Sequence, residues 1–96
     1  MKTKIKNPIG YLTDRHDLTP KECKDRNLIT QSEWYNHHYA IFKVVGPMDL
    51  NRIWQGLHDR FWTPSCGKFG GGTSIGKVTK EDDNHILVEF IYHIGD

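Results

Sequence analysis

The sequence predicts an α+β fold: a short N-terminal helix, then a β-α-β-β run with one long amphipathic helix packed on a small antiparallel sheet. Three observations point there. An apolar stripe at helical spacing runs through residues 50–61, runs rich in aromatic and β-branched residues flank it, and an acidic turn separates two strand-like segments near the end. At 96 residues the chain has the length of one domain, so two-domain arrangements are excluded. Residues 1–18 read as an extended arm and residues 19–96 as the domain.

The arm is assigned because Pro8, Gly10 and Asp14 interrupt every candidate period, while Lys2, Lys4 and Lys6 discourage burial. Thr19-Pro-Lys-Glu22 has the pattern of a helix start, with a hydroxyl to cap a free amide, proline at the first helical position and a glutamate able to reach back. A short helix over residues 19–27 follows, and Cys23 is its inward-facing side chain. Trp34 to Val45 is rich in strand-forming residues and stops at Gly46-Pro47. Alternation sets Ala40, Phe42 and Val44 on one face and Tyr39, Ile41, Lys43 and Val45 on the other.

Leu50, Ile53, Trp54, Leu57 and Phe61 form the stripe of an amphipathic helix, with Asn51, Arg52, Gln55, His58, Asp59 and Arg60 opposite and Asp49 as its cap. Thr63-Pro64 stops it. The segment Ser65-Cys-Gly-Lys-Phe-Gly-Gly-Gly-Thr73 holds four of the nine glycines and reads as a loop. Ser74–Lys80 is a short strand, Glu81-Asp-Asp-Asn84 a hairpin turn, and His85–Ile94 a long strand. In the last strand Ile86, Val88, Phe90, Tyr92 and Ile94 share one face, and Leu87, Glu89, Ile91 and His93 the other. The first strand is expected beside the last.

A hydrophobic fraction of 36% with 11% aromatics supplies a core, so a chain disordered throughout is excluded. The net charge of +1 gives no field to hold a polyanion, which argues against a nucleic-acid coat. The basic start lacks the apolar run of a secretory signal, and no stretch approaches the roughly 20 apolar residues of a membrane helix. Two cysteines, Cys23 and Cys66, without an Asn-x-Ser/Thr acceptor, fit reduced thiols in a cytoplasm.

Several motifs invite a chemical reading. Gly71-Gly-Thr-Ser-Ile-Gly76-Lys77 fits the start of a phosphate-binding P-loop, but Val78 stands where a magnesium-binding hydroxyl is required, and a strand follows instead of a helix. A weaker anion-binding nest remains, built from the amides of Gly70, Gly71 and Gly72 with Lys68 and Lys77. Its bland counterpart is a plain connection. Six histidines invite a metal or acid-base reading. Yet His37 and His38 point to opposite faces, His85 and His93 stand roughly 27 Å apart along one strand, and no close cysteine pair exists, so no metal is expected. Ser65 or Cys66 with a histidine base, or His37 with His93 in metal-free RNA cleavage, lacks an orienting third group.

The remaining feature is a surface. One helix cannot cover two apolar sheet faces, and the face turned away from it carries Tyr35, His37, Tyr39, Ile41, Leu87, Ile91 and His93. Either the N-terminal arm and short helix fold back over it, or a partner does. The alternation of basic, glycine and aromatic residues that marks RNA-binding sheets is missing, so nucleic acid is not the expected partner. The leading expectation is a non-catalytic interaction protein: an inhibitor or adaptor of the virus-encoded type, binding a protein partner or a second copy through those seven residues and the glycine loop, with no cofactor. A small-ligand or nucleotide-binding domain using the glycine loop is the first alternative, and a histidine-based metal-independent nuclease the second.

Overall fold

The computed structural model describes residues 11–64 and 71–94. They form a small α+β domain with a four-stranded antiparallel sheet and two helices. The strands are β1 (Tyr11–Asp17), β2 (Tyr35–Val45), β3 (Thr73–Asp82) and β4 (His85–His93); the helices are α1 (Pro20–Asp25) and α2 (Leu50–Phe61). The sheet order is β1-β2-β4-β3, with β2 and β4 central.

α2 starts where the Asp49 carboxylate accepts the Arg52 N–H, and it ends at Trp62, whose backbone is already extended. Its Ile53 and Leu57 are buried against Ala40, Phe42 and Val44 of β2, Ile86, Val88 and Phe90 of β4, and Ile75 of β3. At about 1.5–3 kcal/mol for each large apolar side chain taken out of water, this single layer is the main stabilising contact of the domain. The Trp54 indole N–H donates to the Gly76 carbonyl at 2.8 Å and ties the helix to an irregular point in β3.

Residues 1–18, expected as an arm outside the domain, include the edge strand β1; residues 1–10 lie outside the described residues. The sheet therefore has four strands where three were expected. The reason lies in what an edge demands. β1 pairs with β2 along one side only, and Asp14, at φ 54°, falls where the register between Thr13 and His16 slips, so regular alternation is not required. Arg15 even lays its guanidinium over the Phe42 and Phe90 rings at 5.8 and 5.1 Å, covering apolar surface with a charged side chain.

α1 is held at both ends. Thr19 and Glu22 exchange side-chain and backbone bonds in a reciprocal cap. At the other end Asn27 takes a left-handed conformation, φ 59°, so that Leu28 N–H reaches the Cys23 carbonyl and Asn27 N–H the Lys24 carbonyl. This closure turns the chain back along the sheet. Thr30 then accepts from His37 N–H, and Ser32 N–H donates to the Tyr35 carbonyl, which covers the stretch of β2 beyond the end of β1.

Candidate functional site

β2 and β4 pair so that Tyr35 lies opposite His93, His37 opposite Ile91, Tyr39 opposite Glu89 and Ile41 opposite Leu87. All seven residues expected at a partner surface are therefore on the face turned away from α2. They do not share one fate. Residues 18–32 cross the part that carries His37, Tyr39 and Leu87, with Ile41 paired beside Leu87, while Tyr35, Ile91 and His93 lie toward the open end.

Under the crossing segment Tyr39 is only 7% exposed, and its hydroxyl donates to the Ile29 carbonyl at 2.7 Å. Cys23 of α1 is buried too. Arg26, at the end of α1, reaches the far strand and grips Glu81 through two parallel bonds of 3.2 and 2.7 Å, a fork geometry available to guanidinium alone. A cavity of about 430 Å³ remains between the segment and the sheet, with Leu28, Ile29 and Leu87 on its apolar side and Lys77, His37 and Glu89 on its polar side. A second, of about 750 Å³, adjoins it across Leu28, His37 and Tyr39.

The polar group centres on Glu89. Its Oε2 lies 2.9 Å from His37 Nδ1 and 3.3 Å from the Tyr39 hydroxyl oxygen, whose one hydrogen goes to the nearer Ile29 carbonyl; its Oε1 accepts the Lys77 N–H at 3.2 Å. On the other side of the imidazole, Nε2 lies 3.1 Å from Ser32 Oγ. A carboxylate can only accept, so Nδ1 carries the hydrogen in this contact; the neutral ring then offers its Nε2 lone pair to the Ser32 hydroxyl. The local backbone makes room for this. β3 slips register between Ile75 and Val78, which turns the Lys77 N–H toward Glu89, and Gly76 leaves open the space that a Cβ would fill against the carboxylate. Burial first, and then the charge of Glu89, pushes the Tyr39 hydroxyl up to about 12, so it stays a donor.

The open end is aromatic. Trp34, Tyr35 and Trp62 are 49%, 41% and 50% exposed. Tyr35 and Trp62 face a cleft of about 180 Å³ with Ile91 and His93, and the His93 ring meets Tyr35 edge-on at 5.4 Å. Trp54 and His58 of α2 and Trp62 just past its end stack in succession, with centroids 5.0 and 6.0 Å apart.

Other expected chemistry is placed as follows. Lys68 and Gly70 of the anion-binding nest, and Ser65 and Cys66, lie outside the described residues. Gly71 N–H donates to the His93 carbonyl and the Gly72 carbonyl accepts from His93 N–H, so both glycines extend the sheet ladder. Lys77 lines the covered cavity instead. His37 and His93 are diagonal neighbours on one face; the His37 ring turns to Glu89 and Ser32, and His93 meets Tyr35. Burial pushes the Cys23 thiol up, away from thiolate chemistry. Among the described residues no group of three or more His, Cys, Asp or Glu side chains is placed to hold a metal ion, and no helix is long and apolar enough to cross a membrane.

Sequence reasoning passed over Ser32 and Glu89. A signal existed for Glu89, the one carboxylate in a strand otherwise built of apolar and histidine side chains; Ser32 sits in an irregular stretch and had none. Compared with protein-family models, curated proteins and solved structures, the chain finds a match in none of the three.

Proposed function

We propose that the protein is an interaction module, an inhibitor or adaptor in function, that docks on a protein partner through its open aromatic end. The observation that supports this is the side-by-side exposure of Tyr35 and Trp62 over one cleft, next to Trp34. Large aromatics half in water are the side chains from which binding hot spots are built, because they bring much contact area at little conformational cost. Tyr35, Ile91 and His93 are the contact residues in this reading, joined by Trp34 and Trp62. His37, Tyr39 and Leu87 support the sheet from beneath the crossing segment, and Ile41 stands beside Leu87. The partner surface is apolar and weakly charged, since the cleft carries no acidic or basic residue other than His93 and the chain's net charge is +1.

The test is a Tyr35→Ala, Trp62→Ala double variant used as bait beside the unchanged protein, with light scattering on each alone. The expected result is a partner retained by the unchanged protein and lost from a double variant of equal melting temperature, with tryptophan emission shifting to the blue on complex formation. Identical capture by both baits would end the reading. A mass that doubles with concentration only in the unchanged protein would make the partner a second copy.

A further inference from the structure

We propose that Ser32, His37 and Glu89 form a nucleophilic relay that accepts the acyl group of a small carboxylic ester with a short apolar acyl chain. The order of groups is the one such chemistry requires. A hydroxyl sits at one nitrogen of an imidazole, 3.1 Å from Nε2, and a carboxylate at the other, 2.9 Å from Nδ1. The carboxylate assigns the tautomer, the tautomer leaves Nε2 as a proton acceptor, and the Ser32 proton is the one within its reach.

The surroundings differ from those of an ordinary surface network. Ser32 is exposed, whereas the side chains of His37 and Glu89 retain 13% and 18% of their exposure, so the nucleophile is open to a substrate and the groups behind it are held from water. Lys77 N–H fixes the carboxylate from a further direction, and the Tyr39 side chain, anchored on the Ile29 carbonyl, lies 3.3 Å from it; both act as positioning residues. The cavity of about 430 Å³ opens beside Ser32, His37 and Glu89, with Leu28, Ile29 and Leu87 as its apolar walls. Lys77 and Asn27 line the same cavity and are the side chains there that carry nitrogen-bound donors suited to a carbonyl oxygen turning negative. Apolar walls and one cation fit a short acyl chain joined to a polarised carbonyl.

The steps balance without any oxidant, reductant or metal. Ser32 Oγ bonds to the ester carbon as its proton passes to His37 Nε2, and the carbonyl electron pair moves onto oxygen. When that pair returns, the bond to the alcohol oxygen breaks and the alcohol leaves with the proton from Nε2. Water then attacks the acyl-serine, giving a proton to Nε2 that returns to Ser32 Oγ as it departs. The products are one alcohol and one carboxylic acid.

The experiment treats the full chain with a fluorophosphonate probe, reads adducts by intact mass and peptide mapping, and follows 4-nitrophenyl acetate and butyrate by nitrophenol release. The expected result is one adduct at Ser32, a burst of nitrophenol with each ester, and loss of both in Ser32→Ala, whose exposed site leaves folding unchanged. Glu89→Gln, checked for an unchanged melting temperature, is expected to slow labelling roughly 10²–10⁴-fold, because its amide no longer fixes the tautomer. Gly76→Ala, which displaces the carboxylate without altering any of the three groups, is expected to slow it as well. No adduct, an adduct on another serine, or equal labelling of Ser32→Ala and the unchanged protein would overturn the proposal. The Tyr35→Ala, Trp62→Ala variant keeps the adduct, so failure of the docking surface and failure of the relay are distinguishable.

Discussion

Two adjoining halves of one sheet face carry similar side chains and meet different ends. His37, Tyr39 and Leu87 lie beneath residues 18–32, whereas Tyr35, Ile91 and His93 lie at an end where Trp34 and Trp62 stand half in water. Alternation along β2 and β4 treats the two halves alike. What separates them is a remote segment, turned back by its Asn27 closure and clamped by Arg26 on Glu81. The covered half gains fixed polar geometry, because a group taken out of water must find partners; the open half keeps its apolar surface available.

The largest expected effect is on the covered side. Truncating Tyr39 to Ala removes a buried aromatic and its bond to the Ile29 carbonyl, and is expected to destabilise the domain by about 3–5 kcal/mol, the usual range for a buried aromatic. Urea unfolding measures it. A loss below about 1 kcal/mol would mean that residues 18–32 do not bury this half in solution, and the contrast between the halves would disappear.

That contrast also marks how far the sequence could be read. The α+β class was legible, since the Leu50–Phe61 stripe contains the buried pair Ile53 and Leu57, and the last strand alternates cleanly between faces. β1 was not, because an edge strand with a bulge at Asp14 imposes neither alternation nor burial on its residues. The choice between fold-back and partner was equally hidden. It rests on contacts such as Tyr39 with the Ile29 carbonyl and Arg26 with Glu81, 55 positions away, and no local pattern encodes those pairings. The Ser32–His37–Glu89 group was illegible for the same reason: His37 and Glu89 were visible one by one, but diagonal proximity across two strands exists only once the register is known.

Next in size is the polar centre itself. Glu89→Ala leaves the His37 Nδ1–H and the Lys77 N–H without their acceptor, while Tyr39 keeps its bond to Ile29. The expected loss is about 1–3 kcal/mol, smaller than for Tyr39→Ala because water can enter the vacated space. Nitrogen-15 shifts of His37 give a second reading: the unchanged protein holds a single Nδ1–H tautomer, and the variant exchanges between two. An unchanged His37 spectrum would sever the carboxylate from the imidazole.

A smaller effect concerns acid. The Thr19 amide and then His16 draw the Glu22 carboxyl from its usual 4.5 down to about 2, and Arg26 holds the Glu81 carboxyl below its ordinary range. Both groups are lowered in the folded chain, so their contribution is complete above the ordinary carboxylate range and fades as pH falls through the folded values. Amides of α1 are therefore expected to lose hydrogen-exchange protection between pH about 4.5 and 2, while those of α2 keep theirs. Arg26→Ala, removing a pair whose side chains are 37% and 28% exposed, is expected to lower stability by about 0.2–1 kcal/mol and to flatten this pH dependence. Simultaneous loss in both helices would show that α1 is not a separable cover.

The smallest stability effect belongs to the open end, and its smallness is the point. Trp62 has left the helix, is half exposed and stacks on His58, so Trp62→Ala is expected to change stability by no more than about 0.5 kcal/mol. Side chains that stabilise nothing are not retained by packing. If urea unfolding of the variant gives a midpoint equal to that of the unchanged protein, the indole is free to serve a contact outside the chain, and any loss of partner binding reads directly on that contact. A loss of 2 kcal/mol or more, on the order of a buried aliphatic truncation, would make Trp62 a structural residue and leave Tyr35 alone at the cleft.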